Sequence, residues 1–232
     1  MIIKRDYYLK KIIDKRENGR IKIITGIRRC GKSYLLFNLY QEYLLSQGIK
    51  EEQIISIALD EIDNLEYRNP FRLNEYIKKK TKNRNQIYYI FIDEIQLSVA
   101  VSNPYIDSKE ENVTFVDMLL GLMKRSNLDI YVTGSNSKML SSDVLTQFRD
   151  RGDEIHVNPL SFAEVYDLYE NKELAFEHYT VYGGMPYIYR LKSDEEKNQY
   201  LRALFQETYI KDILERNNIQ NEKEVLELLL DF

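Results

Sequence analysis

The 232-residue sequence predicts an α/β fold in which helices cover both faces of a five-stranded parallel sheet, followed by a helical C-terminal segment. Short apolar runs alternate with amphipathic helical patterns as far as residue 158, which is typical of a parallel sheet with helical crossovers. The third run, 86–94, is almost continuously apolar, as expected of a strand that is buried on both faces. After Pro159 the strand patterns fade and helical patterns fill the chain.

Each element is predicted from its local pattern. A first helix begins near Asp6, and strands are predicted at 19–25, 53–59, 86–94, 128–135 and 153–157. Between the strands we predict helices at 32–46, 69–80, 113–126 and 137–151, and after them helices at 161–170, 172–181, 194–216 and 221–232. Segment 97–112 is predicted to be a surface excursion. We therefore expect an α/β core over 1–158 and a helical subdomain over 159–232.

Composition and charge exclude several classes of protein. The net charge of −4 does not favour a dedicated nucleic-acid binder, and the basic run 77–84 fits a solvated helix end. No apolar run approaches the roughly 20 residues of a membrane span. The N-terminus lacks a secretory signal pattern, and the single cysteine, Cys30, cannot form an internal disulfide. We expect a cytoplasmic protein.

A glycine-rich corner follows the first strand. Its residues match the P-loop pattern G-x-x-x-x-G-K-[ST], between a strand and a helix: Gly26, Ile27, Arg28, Arg29, Cys30, Gly31, Lys32 and Ser33. In such a loop, backbone N–H groups at a helix N-terminus hold phosphate. Lys32 is predicted to neutralise the β- and γ-phosphates, Ser33 to ligate Mg²⁺, and Tyr34 to border the nucleotide. Cys30 is either a small loop filler or a reactive thiol.

An acidic pair ends the third strand. Asp93 is predicted to hold Mg²⁺, and Glu94 to accept a proton from the attacking water or to orient it. The pair lies 61 residues after Lys32 with one strand and one helix between them. This spacing and the paired Glu94 favour hydrolysis. The hypothesis of a kinase that phosphorylates a small molecule is therefore disfavoured.

Polar residues also follow the fourth strand. Ser135 or Asn136 is predicted to contact the γ-phosphate or the water, and both residues could equally cap the next helix. Arg149 and Arg151 are candidates for an arginine that stabilises transition-state charge, in cis or from a neighbouring subunit. Surface salt bridging is an equal alternative for each arginine.

Together, "GIRRCGKS", "IFIDEIQ", "YVTGSNS", "RGDEIHVNPLSFAE" and "YGGMP" resemble the prokaryotic AAA-like ATPase family that carries a C-terminal domain of unknown function. The resemblance covers essentially the whole chain. It implies the P-loop NTPase fold of the additional-strand, catalytic-glutamate class, with strand order 5-1-4-3-2 and ATP as nucleotide. It assigns Walker A to 26–33, Walker B to Asp93 and Glu94, the sensor to Ser135-Asn136, and the family's Arg-Gly to Arg151-Gly152.

Members of such families continue beyond the final "VLELLLDF", so we expect the chain to be a fragment. The leading hypothesis is Mg²⁺-dependent ATP hydrolysis coupled to a conformational change. The alternative is a nucleotide-gated module that binds a partner or DNA with negligible hydrolysis. The expected ligands are ATP and Mg²⁺. The sequence leaves open whether the protein forms a homo-oligomer and which protein partner it has. We expect no membrane association.

Overall fold

The computed structural model describes residues 3–106, 111–134 and 148–206. Contacts within these residues separate two compact units. The first, here called the sheet unit, comprises 4–26 and the described part of 31–157. The second, here called the helical unit, comprises residue 3, residues 27–30 and residues 158–206.

The sheet unit contains a five-stranded sheet whose strands all run parallel. Its strands are β1 (Ile21–Thr25), β2 (Ile54–Ala58), β3 (Tyr88–Asp93), β6 (Leu128–Thr133) and β7 (Gly152–His156). A small antiparallel pair joins β4 (Val101–Ser102), within the predicted excursion, to β5 (Asn112–Val113), at its end. The helix predicted from 113 therefore begins two residues later, at Phe115. The sheet order is β2-β3-β6-β1-β7. Counting only the strands of this sheet, that is the predicted order read from the opposite edge.

The helices match the predicted pattern within the described residues. They are α1 (Asp6–Ile13), α2 (Lys32–Tyr34, continued by the π-helical turn Leu35–Tyr40 and by Gln41–Ser46), α3 (Pro70–Lys80), α4 (Phe115–Met123), α5 (Phe162–Tyr166), α6 (Lys172–Tyr182) and α7 (Asp194–Ala203). The predicted helix over 137–151 lies mostly outside the described residues, as do the end of the 194–216 helix and all of 221–232. None of the helices in the described ranges combines the length and apolarity needed to span a bilayer.

Local sequence explains where two of these helices begin. The Asn69 side chain accepts a hydrogen bond from the backbone N–H of Phe71 at 2.9 Å, and Pro70 occupies the first helical position of α3. Thr114 and Asp117 form a capping box at the start of α4. Both helices pack against the same face of the sheet, where their apolar residues join the core formed by alternate residues of β1, β2, β3 and β6.

Helix α2 packs on the other face through aromatic contacts. The Phe37 and Phe91 rings lie 6.0 Å apart, and the Tyr40 and Tyr131 rings lie 5.0 Å apart. Since β1, β3 and β6 are buried along their whole length, the sheet is covered on both faces. This packing fixes the helix that follows the glycine-rich loop.

A buried ion pair lies beneath α2. Lys22 on β1 donates a hydrogen bond to Asp129 on β6, and both residues are almost fully buried. Asp129 also accepts from the Tyr131 hydroxyl at 2.7 Å and from the Glu17 backbone N–H at 2.9 Å. The Tyr40 and Tyr131 hydroxyls are 2.6 Å apart. Burial raises the pKa of Tyr131, and the Asp129 charge adds to the shift.

The helical unit is held by two small apolar clusters. One contains Tyr182, Met185, Ile188 and Leu204, and the other contains Ile3, Leu160 and Val165. In the "YGGMP" turn, only the first glycine has a positive φ, 69° at Gly183. Gly184 is required for a different reason, because an added Cβ would lie 2.0 Å from the Leu160 carbonyl oxygen.

Candidate functional site: the carboxyl edge of the sheet

The glycine-rich loop begins where β1 ends. Gly31 has a φ of 99° and immediately precedes α2, so it is in the left-handed region that strains any residue with a Cβ. Gly26, at the start of the loop, has a φ of 149°. The two glycines therefore supply backbone conformations that the turn from strand to helix requires.

Lys32 at the start of α2 is 4% exposed. Its Nζ donates a hydrogen bond to the Gly26 carbonyl oxygen at 3.0 Å. A buried ammonium beside backbone N–H groups at a helix N-terminus has the donor set that suits a phosphate. Ser33 and Tyr34 follow in the first helical turn and are partly exposed. A hydroxyl on Ser33 suits a hard cation such as Mg²⁺.

The middle of the loop, 27–30, belongs to the helical unit. There Ile27 packs against the cluster around Met185, and the Arg29 guanidinium lies 5.8 Å from the centroid of the Tyr200 ring. Arg29 has a φ of 62°, an uncommon conformation for a residue with a side chain. Arg28 and Arg29 are exposed.

The thiol of Cys30 is fully buried. The Cys30 backbone N–H donates to the Ile27 carbonyl oxygen at 3.4 Å, as part of the turn within the loop. Burial of this kind fits a small loop filler better than a reactive thiol, which needs access to solvent.

Asp93 and Thr133 end neighbouring strands. The register pairs Ile92 of β3 with Val132 of β6, so the two polar residues that follow them lie side by side. The Thr133 hydroxyl donates to the Asp93 carboxylate and accepts from the Glu94 backbone N–H at 3.3 Å. Asp93 is 7% exposed and Thr133 is fully buried. A carboxylate held in one orientation by a buried hydroxyl is suited to ligating a divalent cation.

Glu94 follows Asp93 in a left-handed conformation, with φ 52° and ψ 46°. Its carboxylate accepts a hydrogen bond from the Gln96 side-chain amide. Burial raises the pKa of Glu94, and the Asp93 charge adds to the rise. The Gln96 hydrogen bond and the Lys32 charge act in the opposite direction. Glu94 is therefore partly buried next to Asp93, at the carboxyl edge of the sheet.

Lys32, Asp93 and Glu94 thus lie at the same edge of the sheet. Ser135 and Asn136 lie outside the described residues, and so does the side chain of Arg149.

Arg151 is exposed and lies next to Gly152, at the amino end of β7. The register pairs Gly152 with Ile21, at the amino end of β1, and His156 with Thr25. The glycine-rich loop follows Thr25, so it lies at the other end of the strands, about 13 Å away at 3.3 Å per residue. That distance exceeds the reach of an arginine side chain, so the fold does not support the predicted cis role of Arg151. Its role from a neighbouring subunit stays a prediction.

Sequence reasoning missed two members of this site. Thr133 is the last residue of β6, and a polar residue at the carboxyl end of a buried strand was an available signal. Gln96 lies two residues after Glu94, and nothing in a strand or helix pattern indicates that its side chain folds back.

The family is established by comparison of the sequence with family models. A model described as an AAA domain matches residues 18–166, more than half of the chain. The chain therefore belongs to this AAA domain family. A second model, described as a domain of unknown function (DUF8612), matches residues 173–231. The predicted pairing of an AAA-like domain with a C-terminal domain of unknown function is confirmed.

Two curated relatives match nearly all of the chain. An uncharacterized protein of Haemophilus influenzae is 29% identical over 95% of this chain and 52% of its own length. The uncharacterized protein MJ1544 of Methanocaldococcus jannaschii is 30% identical over 97% of this chain and 47% of its own length. The chain thus spans about half the length of these relatives.

Among solved structures, the Walker-type ATPase PABY2304 of Pyrococcus abyssi is similar, with a TM-score of 0.57. The match is 15% identical and covers 94% of this chain and 77% of that protein. At this identity the likeness shows the fold, which is that of the P-loop ATPases. Family and fold together define a nucleotide-binding, ATPase-like module.

Proposed function

We propose that the chain binds ATP with Mg²⁺ and hydrolyses it, and that hydrolysis is coupled to a conformational change. The arrangement of Lys32, Asp93 and Glu94 supports this proposal most strongly. A buried ammonium, a buried carboxylate and a second carboxylate lie at one edge of a parallel sheet, where the carboxyl ends of the strands form the usual ligand crevice.

Each residue has a distinct role in the proposed reaction. Lys32 and the backbone N–H groups at the start of α2 hold the phosphates, while Ser33 and Asp93 hold Mg²⁺. The cation, when bound, neutralises phosphate charge. Glu94 takes a proton from the water that attacks the γ-phosphate. The predicted contributions of Ile27, Arg28, Arg29, Cys30 and Tyr34 to nucleotide binding remain proposals. So do γ-phosphate contacts from Ser135, Asn136 and Arg149, and from Arg151 of a neighbouring subunit.

Substitution of Lys32 by Met tests the binding half of the proposal. We expect Lys32→Met to weaken Mg²⁺-ATP binding about 10- to 100-fold, because a charge-assisted contact to phosphate is lost. Lys79→Met is the matched control, since Lys79 is an exposed lysine at the end of α3 and undergoes the same charge change. Titration calorimetry measures both affinities.

Phosphate release measured on the same wild-type protein separates the proposed function from its alternative. Equal ATP affinity in the Lys32→Met, Lys79→Met and wild-type proteins would contradict the proposed binding site. Binding without phosphate release would instead support the nucleotide-gated module, which acts on a partner or DNA without appreciable hydrolysis. Binding assays with and without DNA, at stated salt, would then identify the partner class.

A further inference from the structure

Gln96 folds back onto Glu94. It lies in the short 3₁₀ turn Ile95–Leu97, which is closed by a hydrogen bond from the Leu97 backbone N–H to the Glu94 carbonyl oxygen at 2.9 Å. The left-handed backbone of Glu94 starts this turn and brings the residue two positions later next to its side chain. The Gln96 Nε2 donates to Glu94 Oε2.

The orientation of the Gln96 amide follows from chemistry. An ionised carboxylate only accepts hydrogen bonds, so the NH₂ group must face Glu94 and the Oε1 atom must point away from it. That Oε1 is buried, and among the described residues it has no hydrogen-bond partner. A buried acceptor without a partner is costly. The amide NH₂ group of Gln96 therefore has a hydrogen-bond acceptor in Glu94, whereas its oxygen has no donor among the described residues.

We propose that Gln96 positions the Glu94 carboxylate for its reaction with the attacking water. This inference rests on the proposed hydrolysis of ATP. Its N–H donates to Glu94 Oε2 and holds the carboxylate in one orientation, so that Glu94 can accept the proton of the attacking water. The water oxygen bonds to the γ-phosphorus as the bond from that phosphorus to the bridging oxygen breaks. ADP and inorganic phosphate form, and the proton passes through Glu94 to solvent.

The proposal requires Gln96 to act through Glu94, so we expect a change in turnover without a change in nucleotide binding. Gln96→Met has similar size and neither donates nor accepts a strong hydrogen bond. We expect its kcat to fall about 10- to 100-fold while ATP affinity stays within about twofold of wild type. Gln96→Glu keeps an oxygen but loses the donor and adds a like charge beside Glu94, and its kcat should fall at least as far.

Combining the substitutions separates a positioning role from a structural one. In the Glu94→Gln background, Gln96→Met should lower the residual single-turnover rate no further, because both changes remove the same function. Gln47→Met is the matched control, since Gln47 is an exposed glutamine at the end of α2. Thermal unfolding of each variant verifies that it is folded. If Gln96→Met is unfolded, the same measurements are made on Gln96→Glu instead.

The outcomes are distinguishable from failure of the proposed function. A Gln96→Met kcat equal to that of wild type, or losses that multiply in the double variant, would overturn the role of Gln96 while leaving hydrolysis intact. Wild-type turnover that does not depend on Glu94, or its complete absence with Mg²⁺-ATP bound, would overturn the proposed hydrolysis and this inference with it.

Discussion

Replacing Thr133 by Val tests whether the hydroxyl between the two motif strands organises the acidic pair. Valine has nearly the shape of threonine, so the change removes the donor to Asp93 and the acceptor for the Glu94 N–H with little change in volume. Asp93 is only 7% exposed, so water cannot readily replace the lost donor. A hydrogen bond to a charged group contributes about 1.5–3 kcal/mol. We expect the free energy of unfolding to fall by about that amount.

Thr133→Ser is the control, because it keeps the hydroxyl and removes one buried methyl group, at a cost of roughly 1 kcal/mol. Urea unfolding at neutral pH gives the stability of the three proteins. If Asp93 holds Mg²⁺, the Mg²⁺ concentration for half-maximal phosphate release should rise about 10-fold or more in the valine variant and little in the serine variant. A valine variant as stable as wild type, or a serine variant less stable than the valine variant, would refute this reasoning.

Three further predictions concern the sheet that positions the site and the helix α4 that packs on it. Asp129→Asn should lower the free energy of unfolding by about 3–5 kcal/mol in urea titrations, because it leaves the Lys22 ammonium buried without its counter-charge; an unchanged midpoint would contradict this. Gly152→Ala should cost about 1–3 kcal/mol, since its Cβ would lie 2.7 Å from Ile23 Cδ1. Gly121→Ala, in the exposed part of α4 with nothing within 4 Å, should instead stabilise by about 0.5–1 kcal/mol. If both glycine variants changed the free energy of unfolding in the same direction, the predicted difference between their environments would be wrong.

The sheet could be predicted from sequence because its central strands are buried on both faces. "IKIIT", "YYIFID" and "LDIYVT" are too apolar for exposed loops, and each ends in a polar or small residue at the carboxyl edge. The strand order was predicted from the family resemblance. The pairing of β1 with β6 on one side and β7 on the other agrees with that order.

Periodicity could not predict the polar residues inside these strands. Lys22 and Asp129 read as ordinary interruptions of an apolar run, and only the parallel pairing of β1 with β6 brings them together. The same limit applies to Arg151. Its place beside Gly152 was visible in the sequence, but its distance from the loop depends on the register between β1 and β7.

The candidate site was predictable where a motif fixes the backbone. Lys32 was assigned from the P-loop pattern, and Asp93 from its place at the end of an apolar strand. The structure places both residues at the carboxyl edge of the sheet. Thr133 and Gln96 act through hydrogen bonds to these residues, and such contacts depend on side-chain orientation that no periodic pattern encodes.

Substitution of Glu94 by Gln tests the central claim most directly. The change keeps size and hydrogen-bonding ability but removes the base, so ATP affinity should stay within about threefold of wild type while single-turnover phosphate release falls by about 10²- to 10⁴-fold. Measuring bound nucleotide and released phosphate in the same samples separates the two effects. Turnover by Glu94→Gln at the wild-type rate would contradict water activation by Glu94 and, with it, the proposed mechanism of ATP hydrolysis.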